Sequence, residues 1–289
     1  MRKLLAVCIA LTSLNSFAEE NVQVDTVIDG LNNPCGIAIQ PGTGDLFVSE
    51  SGAKKIIRIV KDSSVSVDVI TGFPDDVDGT APPFKVGPLG LLFLTETSLV
   101  VGGGGLPDGE EVLRTYRLPK SGEPPISFDK AIQTIGPLEA TNNTAAGGNY
   151  FSIAKTETSL FVASNGEKGL IAKSQRGTKM GALKQFISSK SVGGTHAGLT
   201  MSPDGFVVVS QMGAIDGQQD SVVTFYDAEA GRQLLKLKTE LRDITALAFS
   251  PRRLLSDEKE KGWRSELLYA LDTASVSYTH LTLPTTPYV

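Results

Sequence analysis

The residue best suited to chemistry in this sequence is His196, which leads the run His196-Ala197-Gly198-Leu199. An imidazole titrates near neutrality, so it can take up or release a proton at physiological pH. Asn149 stands before a similar run of strand-forming residues and offers an amide that could orient a ligand. Asp216 and Asp220 bracket Gly217-Gln218-Gln219 in a polar stretch that could present ligand oxygens. Cys35 is a nucleophile or soft ligand if its thiol is activated, and a small packing residue otherwise; packing is the commoner use. A lone histidine at a strand start is also more often structural than catalytic. The sequence therefore makes His196 the catalytic candidate, with Asn149, Cys35, Asp216 and Asp220 as candidate ligand-binding residues. No metal ligands are expected.

Two further motifs have bland explanations. Gly102-Gly103-Gly104-Gly105 resembles a phosphate cradle, but no Lys-Ser/Thr pair and no helix follow it. A permissive loop between strands is the expectation. Asp75-Asp76-Val77-Asp78-Gly79 has the composition of a calcium loop. Pro74 occupies the place of the first ligand, however, and no glutamate closes the series. A solvated turn is expected there.

The elements that must position these residues are short. Apolar runs of four to six residues alternate with Gly, Pro, Asp and Ser, which is the pattern of strands and turns rather than helices. A two-strand unit recurs about every fifty to sixty residues, the period of a four-stranded propeller blade with loops. Its copies are 35–40 with 45–50, 89–94 with 98–102, 151–154 with 159–163, 197–201 with 206–210, and 244–249 with 267–270. Val48, Val101, Val162, Val208 and Tyr269 are taken as equivalent positions. Segments 55–60, 66–71, 111–118, 221–226 and 233–237 supply further strands.

The fold class is therefore all-β: a β-propeller with five blades readable and six expected in the full-length protein, the last being cut short. Gly36, Ala38, Gly90, Gly198 and Ala246 would let the first strands converge on a central channel. Each second strand, apolar on both faces, would lie buried between neighbouring blades. Residues 22–28 are expected to close the ring as a strand of the last blade. The charge-rich segment 252–266 reads as a solvated insertion.

The ends of the chain carry their own signals. Arg2 and Lys3, the apolar run 4–11 and Ser16-Phe17-Ala18 are laid out as a secretory signal peptide, 1–18, leaving a propeller at 19–275. Export places the protein in the periplasm or outside the cell. After cleavage Cys35 is the only cysteine, so no internal disulfide is expected. The net charge is −5, without a basic stripe, which argues against a nucleic-acid partner. No later segment is apolar over the length needed to span a bilayer. Residues 276–285 resemble, residue for residue, the translation of a transposon-end sequencing adapter. Segment 276–289 is accordingly expected to be foreign, and His280 with it.

Leu31-Asn32-Asn33-Pro34-Cys35-Gly36-Ile37-Ala38 and the turn Ser202-Pro203-Asp204-Gly205 resemble those of NHL-type and regucalcin/gluconolactonase-like six-bladed propellers. That resemblance implies a divalent metal in the channel of a lactone hydrolase. The first position of the family pattern, a glutamate, reads Pro34-Cys35-Gly36 here. The later asparagine position reads His196-Ala197-Gly198. The metal site does not carry over. His196 through Gly213 is also similar to the histidine-bearing strand pair of the glucose/sorbosone dehydrogenases. That likeness implies pyrroloquinoline quinone, calcium and a histidine base, with Asp216 and Asp220 in a ligand-bearing loop. Trp263 is the only tryptophan, and that family's other signatures are missing.

Two classes of function follow. One is an exported propeller that binds a small molecule, carbohydrate or protein at the channel mouth. The other is a propeller enzyme, either an oxidoreductase or a lactone hydrolase.

Overall fold

The computed structural model describes residues 25–78, 84–107, 109–139, 148–164, 170–175, 181–188, 196–213, 218–250, 267–273 and 277–282. The segment 1–18 expected to be a signal peptide, Asp216 and the charge-rich segment 252–266 lie outside them.

The described chain is a succession of antiparallel sheets. β1 (Pro34–Ile39), β2 (Leu46–Glu50), β3 (Lys55–Ile59) and β4 (Ser66–Thr71) form the first blade. β5 (Asp76–Asp78) and β6 (Phe84–Val86) form a small separate hairpin. β7 (Leu91–Thr95), β8 (Ser98–Gly102) and β9 (Leu113–Arg117) begin the second blade. β10 (Ile126–Ser127) leaves it to pair in parallel with β4, and β11 (Gln133–Ile135) then completes the second blade against β9. The third blade is β12 (Tyr150–Lys155), β13 (Ser159–Ser164), β14 (Leu170–Gln175) and β15 (Lys184–Ile187). The fourth is β16 (His196–Met201), β17 (Val207–Gln211), β18 (Val222–Tyr226) and β19 (Gln233–Lys238). The fifth is β20 (Ile244–Phe249), β21 (Leu267–Asp272) and β22 (Ser277–Thr282). These sheets are the all-β propeller expected, with the five readable blades in order. The third strand of blade five falls in the segment expected to be foreign; its Tyr-Thr-His-Leu-Thr run has β-forming side chains.

Local chemistry sets the hairpins. Thr156 Oγ1 accepts from the amides of Thr158 and Ser159, which fixes the turn between β12 and β13. Gly205 has φ +87°, a conformation open to glycine, at the turn into β17.

Packing runs between blades. The second strands β2, β8, β13 and β17 are buried on both faces, apart from the first residues of β2 and β8. Phe47, Leu99 and Val101 belong to the core between blades one and two, and Val100 and Val162 to that between two and three. Phe161 and Val209 lie between three and four, and Val208 and Ala270 between four and five. Adjacent residues of one strand thus face opposite neighbours. The pairings Ile37–Val48, Leu91–Val101, Ile153–Val162, Leu199–Val209 and Leu247–Ala270 fix the true equivalents. Val209 and Ala270, not Val208 and Tyr269, match Val48. Val209 stands one residue before Ser210 as Val48 does before Ser49, and a one-residue slip of that alignment exchanges the faces.

The small residues of the first strands are needed for convergence. A Cβ on Gly36 would lie within van der Waals overlap of the Leu89 carbonyl of the next blade. One on Gly90 would meet the backbone of Phe151, and one on Gly198 the side chain of Ser210 and the backbone of Ala246.

Residues 25–28 are not a strand of the last blade. Ile28 and Leu31 instead pack on Val48, Ile57 and Ile59, the face of blade one turned away from blade two. An apolar blade face draws this segment more strongly than an isolated strand edge does.

Candidate functional site

The first strands of all five blades border one cavity of about 860 Å³. Cys35 and Ile37 of β1, Leu91 of β7 and Ser152 and Ile153 of β12 form one part of its wall. Leu199 and Thr200 of β16 with Ala246 and Ala248 of β20 form another, and Tyr269 and Leu271 of β21 complete it. None of the described lining residues is charged. The polar groups on offer are the hydroxyls of Ser152, Thr200, Thr245, Tyr269 and Thr273, the Cys35 thiol and exposed backbone.

One end of the channel is marked by a repeated pairing. The first residue of the inner strand meets the last residue of the second strand: Pro34 with Glu50, Tyr150 with Ser164, His196 with Gln211, Ile244 with Asp272. His196 begins β16 at this end; its side chain is not among those described. Asn149 immediately precedes β12, the neighbouring inner strand, and is half-buried. The backbone thus brings these two candidates to the same end, on adjacent blades.

The other candidates separate. Cys35 is exposed and lines the cavity, contrary to its expected role as a buried packing residue. Its chain neighbours are the exposed Pro34 and the glycine Gly36, and its thiol donates to the Asn33 carbonyl at 3.5 Å. Surrounding apolar surface raises the thiol pKa, and a hydrogen bond with Ser51 opposes this more weakly. The group is therefore a protonated thiol rather than an activated nucleophile at neutral pH. Asp220 is exposed against Gly213 and does not line the cavity.

Carboxylates that the sequence did not single out stand at the same end, but they serve the fold. Glu50 accepts from the amide of Asn32 at 2.9 Å and pairs with Lys55 at 3.4 Å. Asp272 accepts from the amides of Arg242 and Asp243. Each fastens the loop that enters its own blade. Their signal was present: a carboxylate or amide residue ends each of the largely apolar strands Leu46–Glu50, Val207–Gln211 and Leu267–Asp272.

The two suspect motifs are structural. A Cβ on Gly103 would strike the buried carboxylate of Glu111, one on Gly104 Leu89 Cδ1, and one on Gly105 the Pro74 carbonyl. Their φ angles are not positive, so the missing Cβ matters here, rather than backbone permissiveness. A buried carboxylate against Gly103 also disfavours a phosphate. Asp76–Asp78 is a strand instead of a turn, because it pairs with β6. Asp75 binds Lys54 and Lys85 at 3.4 and 3.2 Å, and hydrogen bonding to Lys85 is the main reason its carboxyl pKa is lowered.

Calcium is held by several oxygens, typically including carboxylates. The described lining residues supply hydroxyls and no carboxylate, so these residues alone do not make a site for calcium or a calcium–quinone pair. Among the described residues, no three His, Cys, Asp or Glu are grouped to hold a metal.

No protein-family profile and no curated protein sequence matches the chain. Solved structures do. Hydrazine synthase of Kuenenia stuttgartiensis superposes with a TM-score of 0.51 at 16% identity, over 91% of this chain and 69% of that one. The WD40 β-propeller domain of Doa1 gives 0.46 at 12% identity, over 89% and 85%. A gluconolactonase of Xanthomonas campestris gives 0.45 at 15% identity, over 90% and 89%. At these identities the likeness concerns the fold alone, and the propeller assignment rests on the chain's own successive sheets.

Proposed function

We propose that this protein is an exported β-propeller that takes up an uncharged ligand, or an uncharged segment of a partner, through its central channel. The observation that carries this reading is the cavity of about 860 Å³ whose described lining residues are all uncharged. Its size lies within the roughly 300–1,000 Å³ usual for small-molecule sites, and apolar walls with a few hydroxyls are the usual lining. Burial of apolar surface supplies the affinity, and Ser152, Thr200 and Thr245 supply direction. A neutral small molecule, a carbohydrate presenting its apolar face, or an apolar peptide segment suits this wall. Export rests on the layout of residues 1–18.

The test is a thermal-shift screen of matched neutral and charged compounds. Neutral compounds should raise the melting temperature in a saturable way that added salt does not weaken. Stabilisation by charged compounds alone, abolished by salt, would overturn the reading.

An enzymatic role, with His196 as base, keeps one observation in its favour: Asn149 and His196 stand on adjacent strands at one channel end. It requires a turnover that the His196→Ala variant loses.

A further inference from the structure

Each blade contributes one aliphatic side chain to the same level of the channel. Ile37, Leu91, Ile153, Leu199 and Leu247 pair with second-strand residues in corresponding places, Val48, Val101, Val162, Val209 and Ala270. All five line the cavity. Together they make an aliphatic layer across its wall.

The level above, toward the end where Asn149 and His196 stand, differs in kind. Its first-strand residues are Gly36, Gly90, Ser152, Gly198 and Ala246, which leave room rather than fill it. A bulge interrupts the first strand at or just above this level in blades one, three, four and five. Bulges re-aim the side chains they displace. Cys35, Ser152 and Thr245, from three of these interrupted stretches, line the cavity. Thr273 follows Asp272, the β21 residue paired with Ile244, and so lines the cavity at the same end. Three hydroxyls therefore gather on the mouth side of the aliphatic layer. On its other side the lining is Thr200, Ala248 and Tyr269.

We infer that the ligand of this channel is a single-chain amphiphile with an uncharged head. The head meets the hydroxyls of Ser152, Thr245 and Thr273 at the mouth, and the hydrocarbon chain enters the aliphatic layer. This inference rests on the channel reading given above and names the class of ligand within it.

The stacking of the two levels selects that class. A wholly polar molecule would give up water against the aliphatic layer and gain no hydrogen bonds there. A wholly apolar molecule would cover the mouth hydroxyls and leave them without partners. A charged head would lose its hydration among described lining residues that offer no opposite charge. A neutral head on a hydrocarbon chain satisfies both levels at once, and the chain supplies most of the affinity. Thr200 and the Tyr269 hydroxyl end the hydrocarbon stretch, so the gain from lengthening the chain is confined to the carbons that reach the layer.

The test is calorimetric titration with methyl, butyl and hexyl β-glucosides, and with hexanoate and hexylammonium as charged counterparts. Each methylene between the methyl and hexyl glucosides should tighten binding about fourfold, the value for moving it out of water. The two charged compounds should bind at least tenfold more weakly than hexyl glucoside. Ile37 is 65% exposed, so Ile37→Ser removes one member of the layer without opening a packed core. It should reduce the gain per methylene, whereas Thr245→Val should weaken every glucoside by a similar factor of about five. If either variant fails to fold, the chain-length series on the wild type decides alone. Equal affinity for methyl and hexyl glucosides overturns the inference and leaves the channel reading standing, since a neutral compound still binds. Hexanoate or hexylammonium binding as tightly as hexyl glucoside overturns the uncharged head. If no glucoside and no other neutral compound binds, the channel reading falls and the inference with it.

Discussion

Ser49 and Ser210 each join a glycine amide of one blade to a carbonyl of the next, from wholly buried positions. Replacing either with alanine strands an amide and a carbonyl away from water, at a cost of about 1–3 kcal/mol. Urea unfolding of S49A and S210A should show a lower midpoint with an unchanged slope. Buried phenols give a second signature at this scale. Burial is the main cause that raises the pKa of Tyr116, Tyr150 and Tyr226 above the ordinary value. The folded state then keeps protons that the unfolded chain releases above about pH 10. Stability is complete below that pH and falls as pH rises through the folded pKa. Y150F should flatten part of this alkaline loss in unfolding measured between pH 8 and 11.

Glycines show how differently elements use the same residue. Gly205 needs its positive φ, and nothing lies within 4 Å of a Cβ placed there. G205A should cost about 1–2 kcal/mol through backbone strain alone. Gly105 has an ordinary φ, but a Cβ would collide with the Pro74 carbonyl, a backbone atom that cannot swing aside. G105A should cost about 3 kcal/mol or prevent folding. Parallel melting curves of the two variants would rank them.

The elements also show what could be read from sequence. The first two strands of every blade were legible, because small-residue and doubly apolar runs separated by turns such as Thr156-Glu157-Thr158-Ser159 are local signals. β10 was not, because a two-residue strand owes its existence to a distant parallel partner, β4. β11 and the β5–β6 hairpin are equally short and are formed by their pairing. Of the candidate site, the channel position of Cys35 and the placement of Asn149 and His196 at the starts of adjacent inner strands were within reach. The uncharged set of described lining residues was not, since it is assembled from residues far apart in sequence, such as Ile37 and Ala246.

At the scale of the molecule, the account holds that strands from blades far apart in sequence enclose one channel. Ser152→Phe in blade three and Ala246→Phe in blade five each place a ring in the same space from opposite ends of the repeat array. The decisive measurement is fluorescence titration of a neutral naphthylamine dye into the wild type and these two variants, with melting temperatures recorded alongside. The account predicts saturable binding to the wild type and at least tenfold weaker binding to both variants, while each still melts cooperatively. Undiminished binding in either variant would mean that the two strands do not share a channel.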